Sequence, residues 1–279
     1  MKTSNVRKGP LLVVLFVVLA LVAAACGGGD DDSATATTSA GQTGKTLSAV
    51  DGFDGTTINL GVLVPLSGLP AIIGKPLVAG QQTYWDYLNK EKGGVAGKYP
   101  VKLLTEDTQY DTSLTVQKYN KLKNDVVLFS QVMGTPHNLA LLPLLKKDDV
   151  VVSPASQDAL WVREQQLLPI IEPYQIDVIN GMDYYLNEGG GEGKKVGAII
   201  QNDVYGEAGL EGLKYAADNM GFEIVASPRF KLGDTDFTAQ INELRSKGAE
   251  MVWAVALPSE FTGILGTAAR LGYEPQWIA

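Results

Sequence analysis

Short β-branched runs alternate with segments of helical periodicity from Thr56 to the last residue, and this alternation most limits the folds open to the 279-residue chain. Residues 57–64 (TINLGVLV) form the near-continuous apolar run expected of a parallel strand buried on both faces. A helix is expected over 76–91, with Leu77, Gln81, Tyr84 and Leu88 at helical spacing, stopping at Gly93-Gly94. Strand 101–105, helix 111–123, strand 126–130, helix 136–147 and strand 150–153 continue the series. Four strands and three helices in this order predict an open doubly wound sheet.

The stretch 167–174 is irregular, with Pro169 and Pro173 flanking Ile170-Ile171, and reads as a crossing between domains. The same grammar then restarts. Helix 176–187, strand 196–201, helix 205–220, strand 223–227, helix 236–247 with Asp236 as its N-cap, strand 251–256 and helix 259–271 follow. The fold class predicted is therefore α/β, with two Rossmann-like doubly wound lobes joined by a hinge. The first lobe covers 57–168, the crossing 169–174 and the second lobe 175–279. Residues 275–279 (PQWIA) read as the start of a further buried strand, so the second lobe is expected to be incomplete, as in a piece of a longer reading frame.

Ahead of this body lies a leader. Lys2, Arg7 and Lys8 precede an unbroken apolar run over 11–25, which has the length of a signal-peptide core and is short for a membrane span. Ala23, Ala24 and Ala25 before Cys26, the only cysteine, resemble a lipobox, so residues 1–25 are expected to be a lipoprotein signal and Cys26 the acylated residue. Residues 27–46 hold no aromatic or branched aliphatic residue and cannot bury enough apolar surface to order themselves. A tether is expected over 26–56. The protein is thus expected on the extracytoplasmic face of a cell membrane, lipid-anchored. Without the leader, 31 acidic residues face 20 basic ones, a formal charge of −11 that argues against nucleic acid as a partner.

Catalytic constellations are lacking. GQTGKT has Ser39 where a phosphate-binding loop needs its first glycine, and no strand precedes it. The glycines of 189–193 precede a strand instead of following one and do not fit GxGxxG spacing, so they read as a loop. His137 is the single histidine, there is no GxSxG elbow, and Asp30–Asp32 and Asp148-Asp149 read as solvated charge. No enzyme activity, metal or cofactor is expected. What remains is a set of small polar loops where open α/β sheets bind ligands, at the carboxyl ends of strands. These are Ser67-Gly68, Gly134-Thr135, Ser153 to Gln157 (SPASQ) and Asn202 to Gly206 (NDVYG). Helix N-termini there offer donors to an anion such as a carboxylate.

At these residues the chain resembles the branched-chain amino-acid-type substrate-binding proteins, periplasmic binding proteins that deliver ligand to ABC transporters. The matching stretches are INLGVLVPLSG with Gly74-Lys75 and Ala79-Gly80, then LLTEDTQYD, VVSPASQ, QNDVYGEAGLEGLK and GDTDFTAQINELRSKGAEMV. The resemblance implies two lobes closing on a small ligand, an amino acid or a related carboxylate or amide, a permease as partner, and a monomer. A ligand-sensing component of the same fold is the alternative. It also implies that Gly134, Thr135, Ala155, Ser156 and Gln157 hold the ligand in the first lobe, where Ser67, in the loop after the first strand, is a further candidate by its position. Tyr205 falls on the tyrosine of the family's YG motif, which lines the cleft from the second lobe. Gln157 stands where the family has threonine, Leu257 where an aromatic often follows the last strand, and Ile73 can face the ligand side chain. The acidic residue that would hold a ligand ammonium falls after Ala279.

Overall fold

The computed structural model describes residues 47–191 and 195–279. The leader, Cys26 and the tether as far as Thr46 lie outside the described residues. The last part of the expected tether is folded: Phe53 is buried, bridges Ile58, and sets its ring edge-on to Tyr99 at 5.3 Å.

Two parallel sheets organise the chain. The first has the order β2-β1-β3-β4, from β1 (Ile58–Val64), β2 (Val101–Asp107), β3 (Leu128–Met133) and β4 (Val152–Ala155). Helices α1 (Ala71–Lys92), α2 (Thr112–Leu122) and α3 (Thr135–Asp148) connect them. A 3-10 turn (Ala159–Arg163) and an irregular stretch then lead to α4 (Tyr174–Asn187). The second sheet has the order β6-β5-β8-β9, from β5 (Val196–Gln201), β6 (Ile224–Ala226), β8 (Met251–Val255) and β9 (Gln276–Ile278), while the two-residue β7 (Arg229–Phe230) also pairs with β5. Helices α5 (Val204–Met220), α6 (Thr238–Ser246) and α7 (Pro258–Arg270) complete it.

Period-two alternation of β-strand side chains decides which helices cover which face. In the second sheet Ala198 and Ile200 of β5 and Trp253 and Val255 of β8 meet Met182, Tyr185, Leu210 and Leu213 of α4 and α5. Ile199, Val252 and Ala254, one residue out of phase, meet Ile241, Leu244 and Ile264 of α6 and α7. In the first sheet Leu63, Phe129 and Val152 pack under α2 and α3 with Tyr119, Leu141 and Leu145, and Val62 and Val64 face α1. Both sheets are therefore covered on two faces, as parallel sheets require.

Three boundaries differ from the sequence pattern for identifiable reasons. α1 begins at Ala71, five residues before Pro76, so the proline lies inside the helix. It deprives Ile72 of a hydrogen-bonding N–H, and both residues lie on the exposed side, where water can meet the carbonyl. β3 and β4 run two to three residues later than expected, because β3 continues through the polar Ser130-Gln131 pair to Met133. The N-cap of α6 is Phe237 and not Asp236, whose carboxylate accepts the Thr238 N–H at 3.0 Å from one position earlier. Residues 192–194 of the glycine cluster lie outside the described residues. Among the described residues no helix is long and apolar enough to cross a membrane.

Candidate functional site

In a doubly wound sheet the chain leaves the central strand in both directions, and the crevice between the departing loops is where ligands bind. Here the direction changes between β1 and β3 in the first sheet and between β5 and β8 in the second. The loops that leave β3, β4, β5 and β8 meet at a cleft of about 630 Å³, in the usual range for small-molecule sites.

The floor of the cleft is the start of α3. Gly134 has φ +103°, and a Cβ on it would come within 2.6 Å of the His137 ring and 3.0 Å of the Tyr110 ring, so a glycine is needed both for the turn and for the approach. Thr135 follows as the first helical residue, where N–H groups have no intrahelical acceptor and the helix dipole is positive. Its hydroxyl is buried, with the residue 1% exposed, and has no hydrogen-bond partner among the described residues. The Tyr174 phenol lies close enough to feel that hydroxyl, but the geometry falls short of a hydrogen bond. Such an orphaned donor beside a cleft is costly to fold and needs an explanation.

The turn is held from behind. Asn138 places its amide nitrogen 2.9 Å from the Val132 carbonyl, 2.8 Å from the Gly134 carbonyl and 3.2 Å from the Ser156 hydroxyl. His137 shares a 2.8 Å hydrogen bond with the Thr115 hydroxyl and packs on Tyr110, ring centroids 4.5 Å apart. Burial holds its imidazole down at about 4, against a smaller opposing pull from Asp111, so the ring is neutral near pH 7.

The walls are largely apolar and aromatic. Ile73 and Leu77 of α1, Ile170 and Ile171 of the irregular stretch, and Tyr110, Tyr174, Tyr205 and Leu257 all line the cleft. A polar relay on one wall runs from the Ser130 hydroxyl to Gln81 Oε1 at 2.8 Å and from the Gln81 amide to Gln131 at 2.7 Å. Tyr205 is placed by Asp203, whose carboxylate caps α5 by accepting the Tyr205 and Gly206 N–H groups at 3.0 and 3.1 Å. Gly206 lets that first turn sit on β5, since a Cβ there would come within 1.8 Å of the Gln201 carbonyl oxygen. The Tyr205 ring meets Tyr174 at 5.1 Å, and burial pushes the Tyr174 phenol up to about 12 and Tyr205 further in the same direction.

Of the residues singled out in the sequence, the structure brings Gly134, Thr135, Ala155, Gln157 and Tyr205 to one cleft, with Ile73 and Leu257 beside them. Two do not line it. Ser67 donates its hydroxyl to Asp107 at 2.6 Å, and the same carboxylate accepts the Leu66 N–H, so Ser67 fastens the loop after β1. Ser156 is 2% exposed and faces Asn138, behind the floor. Tyr110, Tyr174 and the Gln81–Ser130–Gln131 relay were not legible as cleft residues. The visible trace was the Ser-Gln pair interrupting an otherwise apolar strand. Among the described residues no group of His, Cys, Asp and Glu could hold a metal ion.

Residues 57–279 match the sequence model of a protein family described as periplasmic binding protein. Leu/Ile/Val-binding protein homolog 3 of Brucella melitensis is 26% identical over 204 residues, which cover 70% of this chain and 53% of that protein. The fatty acid ABC transporter substrate-binding protein from Thermomonospora curvata is similar in structure with a TM-score of 0.76 at 26% identity, over 82% of this chain and 58% of that one. A branched chain amino acid ABC transporter from Thermus thermophilus with bound valine has the same fold, with a TM-score of 0.70 at 22% identity over 80% and 58% of the two chains. The chain spans about half the length of the curated relatives it matches.

Proposed function

The chain belongs to the periplasmic binding protein family, and from that premise we propose that it is an extracytoplasmic solute-binding protein that captures a small carboxylate- or amide-bearing ligand in the cleft. The observation that carries the reading is the Thr135 hydroxyl, buried and without a partner among the described residues at the N-terminus of α3, in a cleft walled by residues that follow strands of both sheets. A ligand carboxylate there would accept the hydroxyl and the free N–H groups of the first turn. Gly134, Ala155 and Gln157 frame this anion subsite, and Tyr205 covers it from the second lobe. Ligand that touches both lobes only when they are closed shifts the population toward closure, and the segment 169–174 is the pivot. Anchored through an acylated Cys26, the protein passes its ligand to an ABC transporter permease and works as a monomer.

Two specific ligand classes follow from the relatives. An amino acid is favoured by the Leu/Ile/Val-binding homologue and by the polar floor. A fatty acid is favoured by the apolar groove that continues along α1 past Ile73 and Leu77 to Tyr84 and Trp85, and by the Thermomonospora neighbour. A thermal-shift screen of amino acids, amides, short carboxylates and fatty acids separates them. A ligand at a hundred times its Kd stabilises by about 2.7 kcal/mol, enough for a rise of several degrees. A hit abolished by Tyr205→Ala supports the reading, and a hit indifferent to both Tyr205→Ala and Thr135→Val overturns it.

A further inference from the structure

The cleft holds hydrogen-bond donors that the anion subsite does not use, and a distortion of β3 brings them there. Phe129 and Gln131 face the consecutive Gly61 and Val62 of β1. Phe129 and Val132 face Val152 and Pro154 of β4. Against both neighbours β3 carries one residue too many, a bulge of the kind that re-aims side chains beside binding sites. In a regular strand Ser130 and Gln131 would point to opposite faces, whereas here both reach Gln81 of α1.

The polarity of this relay is set by its one hydroxyl proton. Ser130 Oγ lies 2.8 Å from Gln81 Oε1 and 3.4 Å from the Gly61 carbonyl, so the proton goes to Gln81. The Gln81 amide nitrogen in turn donates to Gln131 Oε1 at 2.7 Å. The relay ends in the Gln131 amide nitrogen, whose two N–H groups have no partner among the described residues. Gln131 is half-buried and lines the cleft.

Room for a ligand chain adjoins it. Gly80, in the middle of α1, lines the cleft, and a Cβ there would meet nothing within 4 Å. Glycine inside a helix weakens it, and here it leaves the groove open. Leu77, Ile170 and Ile171 supply apolar walls, the last two 79% and 52% exposed. Gln131 precedes Gly134 by three residues, a rise of roughly 10 Å along an extended strand. No lysine or arginine is among the described residues that line the cleft. A second carboxylate at the relay would therefore lose its hydration for neutral donors alone.

We propose that the Gln81–Ser130–Gln131 relay is a second polar subsite, which reads a neutral carbonyl on the apolar chain of a ligand whose carboxylate rests on α3. The substrate class is a carboxylic acid with an amide, ester or ketone carbonyl roughly 10 Å from the carboxylate. The inference rests on the reading of the cleft as the ligand site.

The test is calorimetric titration of the purified full-length protein with straight-chain acids, their lengths stepped through that span. Each length is offered as the plain acid, the acid with a terminal primary amide, and the dicarboxylic acid. At the best length the amide is expected to bind at least fivefold tighter than both others. Gln131→Met abolishes this preference and leaves the plain acid's affinity within twofold. If that variant does not fold, Ser130→Ala serves instead, since without the hydroxyl proton the Gln81 amide can turn over and the preference narrows. A relay that only ties α1 to the sheet weakens all three forms by one factor in Gln131→Met, which overturns the inference. Plain acids or dicarboxylic acids that match the amides at every length also overturn it and leave the anion subsite standing. If none of these compounds binds, the inference falls, and if amino acids fail in the thermal screen as well, the reading of the cleft falls with it.

Discussion

Replacing Thr135 by valine separates a binding role from a structural one, because the two move stability in opposite directions. The side chain is 1% exposed and its hydroxyl has no partner among the described residues, so the folded protein without ligand carries a desolvated, unsatisfied donor. That state costs roughly 1–3 kcal/mol relative to an apolar group of the same shape. Valine keeps the shape and removes the donor. The ligand-free variant is therefore expected to melt higher than the parent, by about 2–4 °C for each kcal/mol recovered in a chain of this size. In the ligand-bound state the same hydroxyl donates to a charged acceptor, worth about 1.5–3 kcal/mol, so its loss weakens binding by roughly 10- to 100-fold. Melting curves without ligand and titration with the hit from the thermal screen measure both quantities on one preparation. A hydroxyl that serves only the fold gives the reverse pattern: a lower melting temperature and an unchanged Kd. Either half of that pattern refutes the assignment.

Other perturbations read neighbouring parts of the site. Tyr205→Ala is expected to weaken binding at least tenfold, about 1.4 kcal/mol, in the same titration, because it removes the ring that covers the anion subsite from the second lobe. Gly134→Ala forces a Cβ to within 2.6 Å of His137 at φ +103°, so urea unfolding should show a loss of roughly 1–3 kcal/mol. His137, held at about 4 in the fold against an ordinary 6.5, is neutral in both states above pH 6.5 and contributes no pH dependence there. As pH falls from 6.5 toward 4 only the unfolded chain takes up the proton, so stability declines by an expected ~3 kcal/mol and levels off below. Melting temperature measured from pH 7 to pH 4 should fall less steeply in His137→Gln. An equally steep fall in that variant assigns the acid sensitivity to another group.

How far the sequence alone led can be judged element by element. The strands with unmixed apolar runs, β1, β5 and β8, were legible because burial on both faces leaves no polar phase to confuse the period. The loops that reach the cleft from β3, β4 and β5 followed from strand order, since the carboxyl ends of a doubly wound sheet are where its loops converge. Register inside the cleft was not legible. Tyr110 reaches it through a left-handed turn at Gln109 and Tyr110 that no residue type announces, and Tyr174 reaches it because α4 begins at once after Pro173. Ser67 and Ser156 have the same chemistry as Thr135, and only packing shows that their hydroxyls serve Asp107 and Asn138.

The end of β3 joins these observations. The polar Ser130-Gln131 pair interrupts the apolar pattern, so the sequence predicts a strand ending at residue 130, yet the strand continues to Met133. Its register against β1 also shifts at that point, between Gly61 and Val62, which fits an extra residue on β3. A polar pair in the middle of a buried parallel strand is locally unfavourable unless it gains partners, and here Gln81 from α1 supplies them. Local rules tend to break where function is placed. Replacing Ser130 and Gln131 together by alanine and valine restores the apolar pattern and keeps strand propensity. That variant should fold about as stably as the parent, because the polar groups removed bond to Gln81 and, from Ser130 at a long 3.4 Å, to the Gly61 carbonyl, while the added apolar groups restore the strand's burial pattern. Pairing it with Gln81→Leu removes the whole relay. If the relay is part of the ligand wall, this triple variant binds the screening hit at least tenfold more weakly at undiminished melting temperature. If it only ties α1 to the sheet, the melting temperature falls and the affinity stays.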